Sequence, residues 1–281
     1  MSVTYSGYQA LGVEVDAGVA TVTIDNPPIN LFDLTLYREM RRVASELATD
    51  EAVRVVVLQS ANPEFFIAHF DVGLILQFPI EAGPPATELN DFHVMCELFR
   101  TMPKATIAVI EGRVGGGGSE LASSFDMRFA LSGRAVFNQP EVALGILPGG
   151  SGTVRLPRLI GRSRALEVIL GCDDVDADLA ERWGWVNRSL PEAELWPFVE
   201  RLAARIASFP PHAVAAAKAS VLRADRDVHA DLLLEGDAFV ATLGDPLTQD
   251  AMRRFLDGTG QTREGELRLG ELAGELGLPP V

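Results

Sequence analysis

The sequence predicts an α/β fold, a largely parallel sheet with covering helices followed by a helical C-terminal region. Three observations lead there. The near-continuous apolar runs Val53 to Leu58, Ala105 to Ile110 and Met127 to Leu131 have the character of strands covered on both faces. Helix-like segments separate them, and strand–helix–strand alternation implies crossovers that leave neighbouring strands parallel. From Ser163 onward the pattern is mostly helical.

In chain order, Val13 to Val15 and Val19 to Ile24 are β-rich and separated by Asp16-Ala17-Gly18, which reads as a hairpin. Asp33 is placed as the N-cap of a helix whose Leu36, Met40, Val43 and Leu47 share one face. The first apolar strand follows. Between Leu74-Ile75-Leu76 and a helix from Leu89 to Thr101, Pro79 to Pro85 holds three prolines and a glycine, the composition of a mobile loop. The later helices are expected at Arg164 to Leu170, Ala177 to Arg182, Glu192 to Ala207, His212 to Arg223, Ala230 to Leu243 and Pro246 to Leu256. There is no internal repeat of convincing period and no low-complexity tract.

A length of 281 residues suffices for one large domain or two small ones with a substantial core. With 24 Lys plus Arg against 39 Asp plus Glu, the formal charge of −15 disfavours nucleic acid as a partner, and an anionic ligand needs a local basic patch. Two isolated cysteines, Cys96 and Cys172, fit buried or inert thiols in a reducing compartment. The N-terminus has neither a basic nor an apolar signal region, and no apolar stretch approaches the roughly 18 residues of a membrane span. A cytoplasmic enzyme without a membrane partner is expected.

Chemistry concentrates in Gly112-Arg113-Val114-Gly115-Gly116-Gly117-Gly118-Ser119-Glu120, followed 21 residues after its glutamate by Glu141 in Gln139-Pro140-Glu141. Consecutive glycines at a helix start leave bare backbone N–H groups that a ligand oxygen can approach closely, the arrangement of an oxyanion hole. A carboxylate at Glu120 would repel a phosphate there, so the expected ligand oxygen is a polarised carbonyl.

Together with Asp25-Asn26-Pro27-Pro28-Ile29-Asn30, Phe66-Ile67-Ala68-His69-Phe70-Asp71 and Leu147-Pro148-Gly149-Gly150-Ser151-Gly152-Thr153, these motifs make the chain resemble the enoyl-CoA hydratase/isomerase (crotonase) superfamily up to about Leu190. The resemblance implies a crotonase-like spiral of ββα units over residues 1–205, which hold the active site. Over 206–281 it implies a C-terminal helical region, entered near Pro210-Pro211, that closes the pocket and assembles a homotrimer or a dimer of trimers. It implies an acyl-CoA substrate, with coenzyme A as part of that substrate and no separate cofactor or metal. Two backbone N–H donors, of Ala68 and Gly117, would hold the thioester oxygen, and Ala68, His69, Phe70, Asp71, Gly116 and Gly117 would line the substrate. The family's hydratases keep glutamates at the positions of Glu120 and Glu141. Glu120 would orient and activate water, and Glu141 would exchange the proton at the α-carbon, the two titrating as a unit.

This implies an enoyl-CoA hydratase, a lyase of fatty acid metabolism. Its rivals are other reactions of the superfamily, namely isomerisation, decarboxylation or carbon–carbon bond hydrolysis, and a noncatalytic acyl-CoA-binding scaffold. Members that only shift a double bond often lack the carboxylate at Glu120. Dienoyl-CoA isomerases and dehalogenases tend to place an aspartate near Gly149.

The main departure is His69, where similar chains carry glycine in Ala-Gly-x-Asp. Either the histidine lines the pocket as an acid, base or donor, or, the reading favoured here, its side chain points to solvent. Asp71 is expected to hold its loop by backbone hydrogen bonds. Arg155, Arg158, Arg162 and Arg164 form a basic cluster open to coenzyme A phosphates, to a subunit interface or to surface ion pairs. Lys218 and Arg253-Arg254 are further candidates, although Asp257-Gly258-Thr259-Gly260-Gln261 replaces the basic ending of the family. Trp183, Trp185 and Trp196 read as core or interface aromatics, and His93, His212 and His229 lack metal-ligand spacing.

Overall fold

The hairpin closes as its turn residues dictate. In the computed structural model, which describes residues 4–81 and 83–277, Leu11–Asp16 (β1) and Val19–Ile24 (β2) pair antiparallel. Ala17 and Gly18 between them both have positive φ, 46° and 84°, which suits the right-handed twist of the flanking strands. The remaining strands are Val55–Ser60 (β3), Phe65–Ile67 (β4), Ala105–Ile110 (β5), Arg113–Gly115 (β6), Met127–Leu131 (β7), Val136–Asn138 (β8), Val175–Asp176 (β9) and Arg188–Leu190 (β10). They form a six-stranded sheet in the order β1-β2-β3-β5-β7-β10 and a four-stranded sheet in the order β4-β6-β8-β9. Apart from the hairpin, every pair in the large sheet is parallel.

The apolar runs are buried on both faces because strand residues alternate between them. Val56, Leu58, Ala108 and Ile110 face the helices Leu34–Thr49 and Asp91–Thr101. Val55, Val57, Ile107 and Val109 face the helix Glu192–Ala207 through Leu195, Val199 and Ala203. Asp33 caps the first helix, its side chain accepting the N–H of Leu36 at 2.9 Å. Leu36, Met40, Val43 and Leu47 of that helix are fully buried, worth about 1.5–3 kcal/mol apiece relative to exposure.

The small sheet, absent from the sequence reading, positions the site. Its strands β4, β6 and β8 lie side by side and parallel, with Ile67 opposite Val114 and Gly115 opposite Asn138. Their C-terminal ends therefore deliver three separate segments to one place: Ala68–Asp71, the glycine helix Gly116–Ser123, and Gln139-Pro140-Glu141.

Three further elements differ from expectation. Gly152–Ile160 is a helix with Pro157 in its interior, where the proline has no N–H to donate to the Thr153 carbonyl one turn back. Arg263–Glu266 and Leu269–Glu275 extend the helical region beyond Leu256. The helix Glu192–Ala207 runs two residues past 205, and Ser208–Pro210 separate it from the helix Pro211–Leu222. The proline-rich 79–85 segment is without helix or strand, residue 82 lying outside the described residues, as do residues 1–3 at the N-terminus. Among the described residues no helix is long and apolar enough to cross a membrane.

Candidate active site

Glu120 is buried in the second turn of the glycine helix, at 3 % exposure. Its Oε1 accepts the N–H groups of Gly150 at 2.8 Å and Gly152 at 2.7 Å, which leaves Oε2 without a donor among the described residues. Burial, then the charges of Glu141 and Glu235, push its pKa well above the usual carboxylate range, and the two N–H bonds offset part of that. Glu141 follows Pro140 at the start of a short 3-10 turn. Gln139, with its amide nitrogen assigned to the side facing Glu141, donates to that carboxylate at 2.9 and 3.2 Å. Burial pushes Glu141 up to about 7, against the lowering influence of its own backbone hydrogen bond and of His69.

Gly116 explains how the segments fit. It has φ of 44°, and a Cβ there would lie 2.8 Å from Glu141 Oε1 and 3.1 Å from His69 Cβ, so the two side chains flank one glycine. Both glutamates open on a cavity of about 540 Å³ that His69, Phe70, Gly117, Phe92, Leu144, Ile146 and Phe239 also line. Tyr37, Phe70, Phe78 and Phe92 form an aromatic cluster on its wall, with ring centroids 6.0 to 6.3 Å apart. The site thus joins two buried carboxylates, the N-terminal turn of a glycine helix and an apolar chamber.

Of the residues read from the sequence, His69, Phe70, Gly117, Glu120 and Glu141 meet at this cavity, while Ala68, Asp71 and Gly116 stand behind its wall. The N–H of Ala68 is directed at the carbonyl of Ile29, 3.3 Å away. Asp71 holds its loop as expected, Oδ1 accepting from the N–H of Gly73 at 2.8 Å and from Gln261 Nε2 at 3.0 Å. A side chain at Gly149 would overlap the ring of Phe239, so aspartate has no room there.

Several expectations are corrected. His69 does not face solvent: it is 3 % exposed, with Nε2 3.0 Å from Glu266 Oε1 and Nδ1 2.7 Å from the Phe70 carbonyl. Nor does it need a left-handed backbone, since its φ is not positive. Three arginines of the basic cluster are engaged within the chain, ion pairing being one of the readings left open above. Arg155 binds Glu97 at 2.5 Å and Ser151 Oγ at 2.8 Å, Arg158 pairs with Asp231, and Arg164 lies over Trp183. Lys218 pairs with Asp126 at 2.9 Å and donates to the Lys104 carbonyl at 2.8 Å. As read from the sequence, both cysteines and Trp185 are buried, Trp185 donating to Ser123 Oγ at 3.3 Å.

Sequence reasoning missed Gln139 as a partner of Glu141, although its motif was in view. It also missed Glu235, which accepts the Ser151 and Val154 N–H groups and approaches His93, and Glu266. These depend on contacts 81 to 197 residues apart in the chain, which no local pattern carries.

The sequence profile of the enoyl-CoA hydratase/isomerase family matches residues 14–259. The short-chain-enoyl-CoA hydratase of Clostridium acetobutylicum is 34 % identical over 250 residues, covering 87 % of this chain and 94 % of that protein. The carnitinyl-CoA dehydratase of Proteus mirabilis is 34 % identical over 212 residues, covering 75 % and 79 %. Among solved structures, a Streptomyces avermitilis protein described as a candidate enoyl-CoA hydratase superposes with a TM-score of 0.87 at 40 % identity, over 96 % of this chain and 99 % of that one.

Proposed function

The chain belongs to the enoyl-CoA hydratase/isomerase family, and from that premise we propose that it adds water across the double bond of a 2-enoyl-CoA thioester. The observation that carries this reading is the meeting of Glu120 and Glu141 on one apolar cavity beside the N-terminus of the glycine helix. Buried carboxylates held close cannot both ionise easily, so the pair keeps one proton near neutral pH.

In the proposed reaction Glu120 Oε2 takes a proton from water as the water oxygen bonds to the β-carbon. The π electrons move onto the thioester oxygen, which the Gly117 N–H and the positive end of its helix stabilise. Ala68 serves as second donor in this reading, because its 3.3 Å bond to Ile29 is at the long, weak end of the range and can be exchanged for the thioester oxygen. Glu141 delivers a proton to the α-carbon as the carbonyl re-forms, so the product has gained one water. Proton exchange with solvent resets the pair. The thioester itself stabilises the developing charge, so the reading needs neither a redox group nor a metal. The family's trimer is proposed as well: the helix Pro211–Leu222 buries none of its residues, and Val221 is 72 % exposed.

The test is loss of the conjugated thioester absorbance with a short 2-enoyl-CoA, with product mass determined alongside. Wild type is expected to add the mass of water, and Glu120→Gln and Glu141→Gln each to lower kcat by about a hundredfold or more. A product of unchanged mass assigns isomerisation, and a lower mass assigns decarboxylation.

A further inference from the structure

His69 stands where the sequence departs from its Ala-Gly-x-Asp relatives, and its two ring nitrogens restrict its protonation state. Nδ1 lies 2.7 Å from the carbonyl oxygen of Phe70, which can only accept. Nε2 lies 3.0 Å from Glu266 Oε1, an oxygen that already accepts the Gln261 N–H at 2.8 Å. A neutral imidazole has one N–H and would turn a lone pair toward one of these acceptors, whereas an imidazolium satisfies both. The ring is enclosed, edge-on to Phe255 at 5.6 Å. Glu266 is 1 % exposed, and its Oε2 has no hydrogen-bond partner, so this carboxylate leans on His69 for its compensation.

The same C-terminal stretch grips the far side of the loop. Gln261 donates from Nε2 to Asp71 Oδ1 at 3.0 Å and accepts the Val72 N–H at 3.1 Å. Glu266 lies beyond residue 259, where the family match ends, so the partner of the departing histidine comes from the part of the chain that the family pattern does not describe.

We propose that His69 is a positioning residue carried as an imidazolium, which with Glu266 clamps residues 259–266 onto the Ala68–Asp71 loop and places a fixed positive charge beside Glu141. What it positions rests on the reaction proposed above; its protonation state does not. The charged groups bearing on it are Glu266 from the C-terminal helix and Glu141 from the 3-10 turn. Arg113, which acts on Glu266, is itself paired with Asp174 at 2.6 Å. Burial alone would lower the His69 pKa, but Glu266, the Phe70 carbonyl and Glu141 carry it up to about 9. The charge returns the influence by drawing Glu141 downward, against its burial. Removing it raises the pKa values of the carboxylate pair, so both limbs of the pH profile move to higher pH.

The experiment is nitrogen NMR of the histidine rings in the full-length protein, beside pH profiles of kcat/KM, for wild type, His69→Gln and the nearly isosteric Glu266→Gln. His69→Gln identifies the His69 resonances among the four histidines. In wild type both ring nitrogens are expected to stay protonated through pH 8, and in Glu266→Gln the ring to be neutral by pH 8. Glu266→Gln should shift both limbs upward by about one pH unit and lower kcat/KM about tenfold. A wild-type ring that is neutral at pH 7, or a Glu266→Gln profile superimposable on that of wild type, overturns the proposal. If wild type turns over no enoyl-CoA, the hydratase reading fails while the ring spectra still decide the charge of His69. If His69→Gln does not fold, the Glu266→Gln comparison stands without it.

Discussion

At the residue scale the proposed chemistry is set against stability, because Glu141, the proton donor of that proposal, is buried in a place that disfavours its charge. Its pKa rises from 4.5 to about 7 on folding. The stability linked to its protonated form is therefore fully present below pH 4.5 and lost as pH rises through 7. A glutamine there keeps the shape, offers an amide oxygen to Gln139 and carries no such penalty. Glu141→Gln is expected to be inactive yet more stable than wild type at pH 8, by up to a few kcal/mol. Urea unfolding should show the advantage growing between pH 4.5 and 7 and level above that; a variant less stable than wild type at pH 8 would contradict the account. Glu120 and Glu141 were legible in the sequence because each sits in a motif whose neighbours announce backbone geometry. The burial of His69 was not, since the residue that compensates it lies 197 positions away.

At the element scale the helix Gly152–Ile160 is held by a carboxylate from another helix. Ser151, at its N-cap, makes no side-chain cap of its own. Instead Glu235, on the helix Val228–Leu243, accepts the N–H of Ser151 at 2.6 Å and of Val154 at 3.1 Å, with the Thr153 hydroxyl and His93 Nε2 also against it. Removing it orphans buried donors, so Glu235→Ala is expected to cost about 3–5 kcal/mol. Loss of the solvent-side cap in Asp33→Ala should cost about 1 kcal/mol. Denaturant titration of the two variants checks this, and equal losses would deny Glu235 its role. The turn that Glu235 holds also presents the Gly150 and Gly152 N–H groups to Glu120. Glu235→Gln should therefore lower kcat more than it raises KM. The large sheet was readable in β1, β2, β3, β5 and β7, which run five or six residues each and are rich in apolar side chains, but not in the three-residue β10. The small sheet was not, since strands of two or three residues fall below any periodicity, although their parallel register assembles the site. Pro157 hid one helix, and the short C-terminal helices lie past the region where the pattern was recognisable.

At the scale of the whole molecule the charge of −15 bears on how an anionic acyl-CoA reaches the cavity. Local cations do not rescue the encounter. Glu88, Asp91 and Asp237 line the cavity with the one-proton Glu120–Glu141 pair, whose remaining charge the imidazolium proposed for His69 offsets, and among the described residues no lysine or arginine lines it. Asp91 has Arg41 2.9 Å away, while Arg155, Arg158 and Lys218 are committed to internal partners. At about 0.01 M salt the field extends roughly 30 Å, and at 0.1 M roughly 10 Å. Added salt should therefore speed binding by screening repulsion, opposite in sign to an enzyme that steers its substrate. Stopped-flow association of a nonreactive acyl-CoA analogue is expected to quicken several-fold, up to about tenfold, between 10 and 200 mM salt. The sequence had already pointed to this repulsion through composition, but not to its local form, because it left the arginine cluster open between ligand phosphates, an interface and ion pairs, and only the fold shows Arg155 and Arg158 paired with carboxylates. A rate that falls with salt would mean that cations reach the mouth from outside this chain's own cavity wall. The unburied helix Pro211–Leu222 would then be the first place to look, since a neighbouring copy packed on it could bring its own lysines and arginines to the entrance.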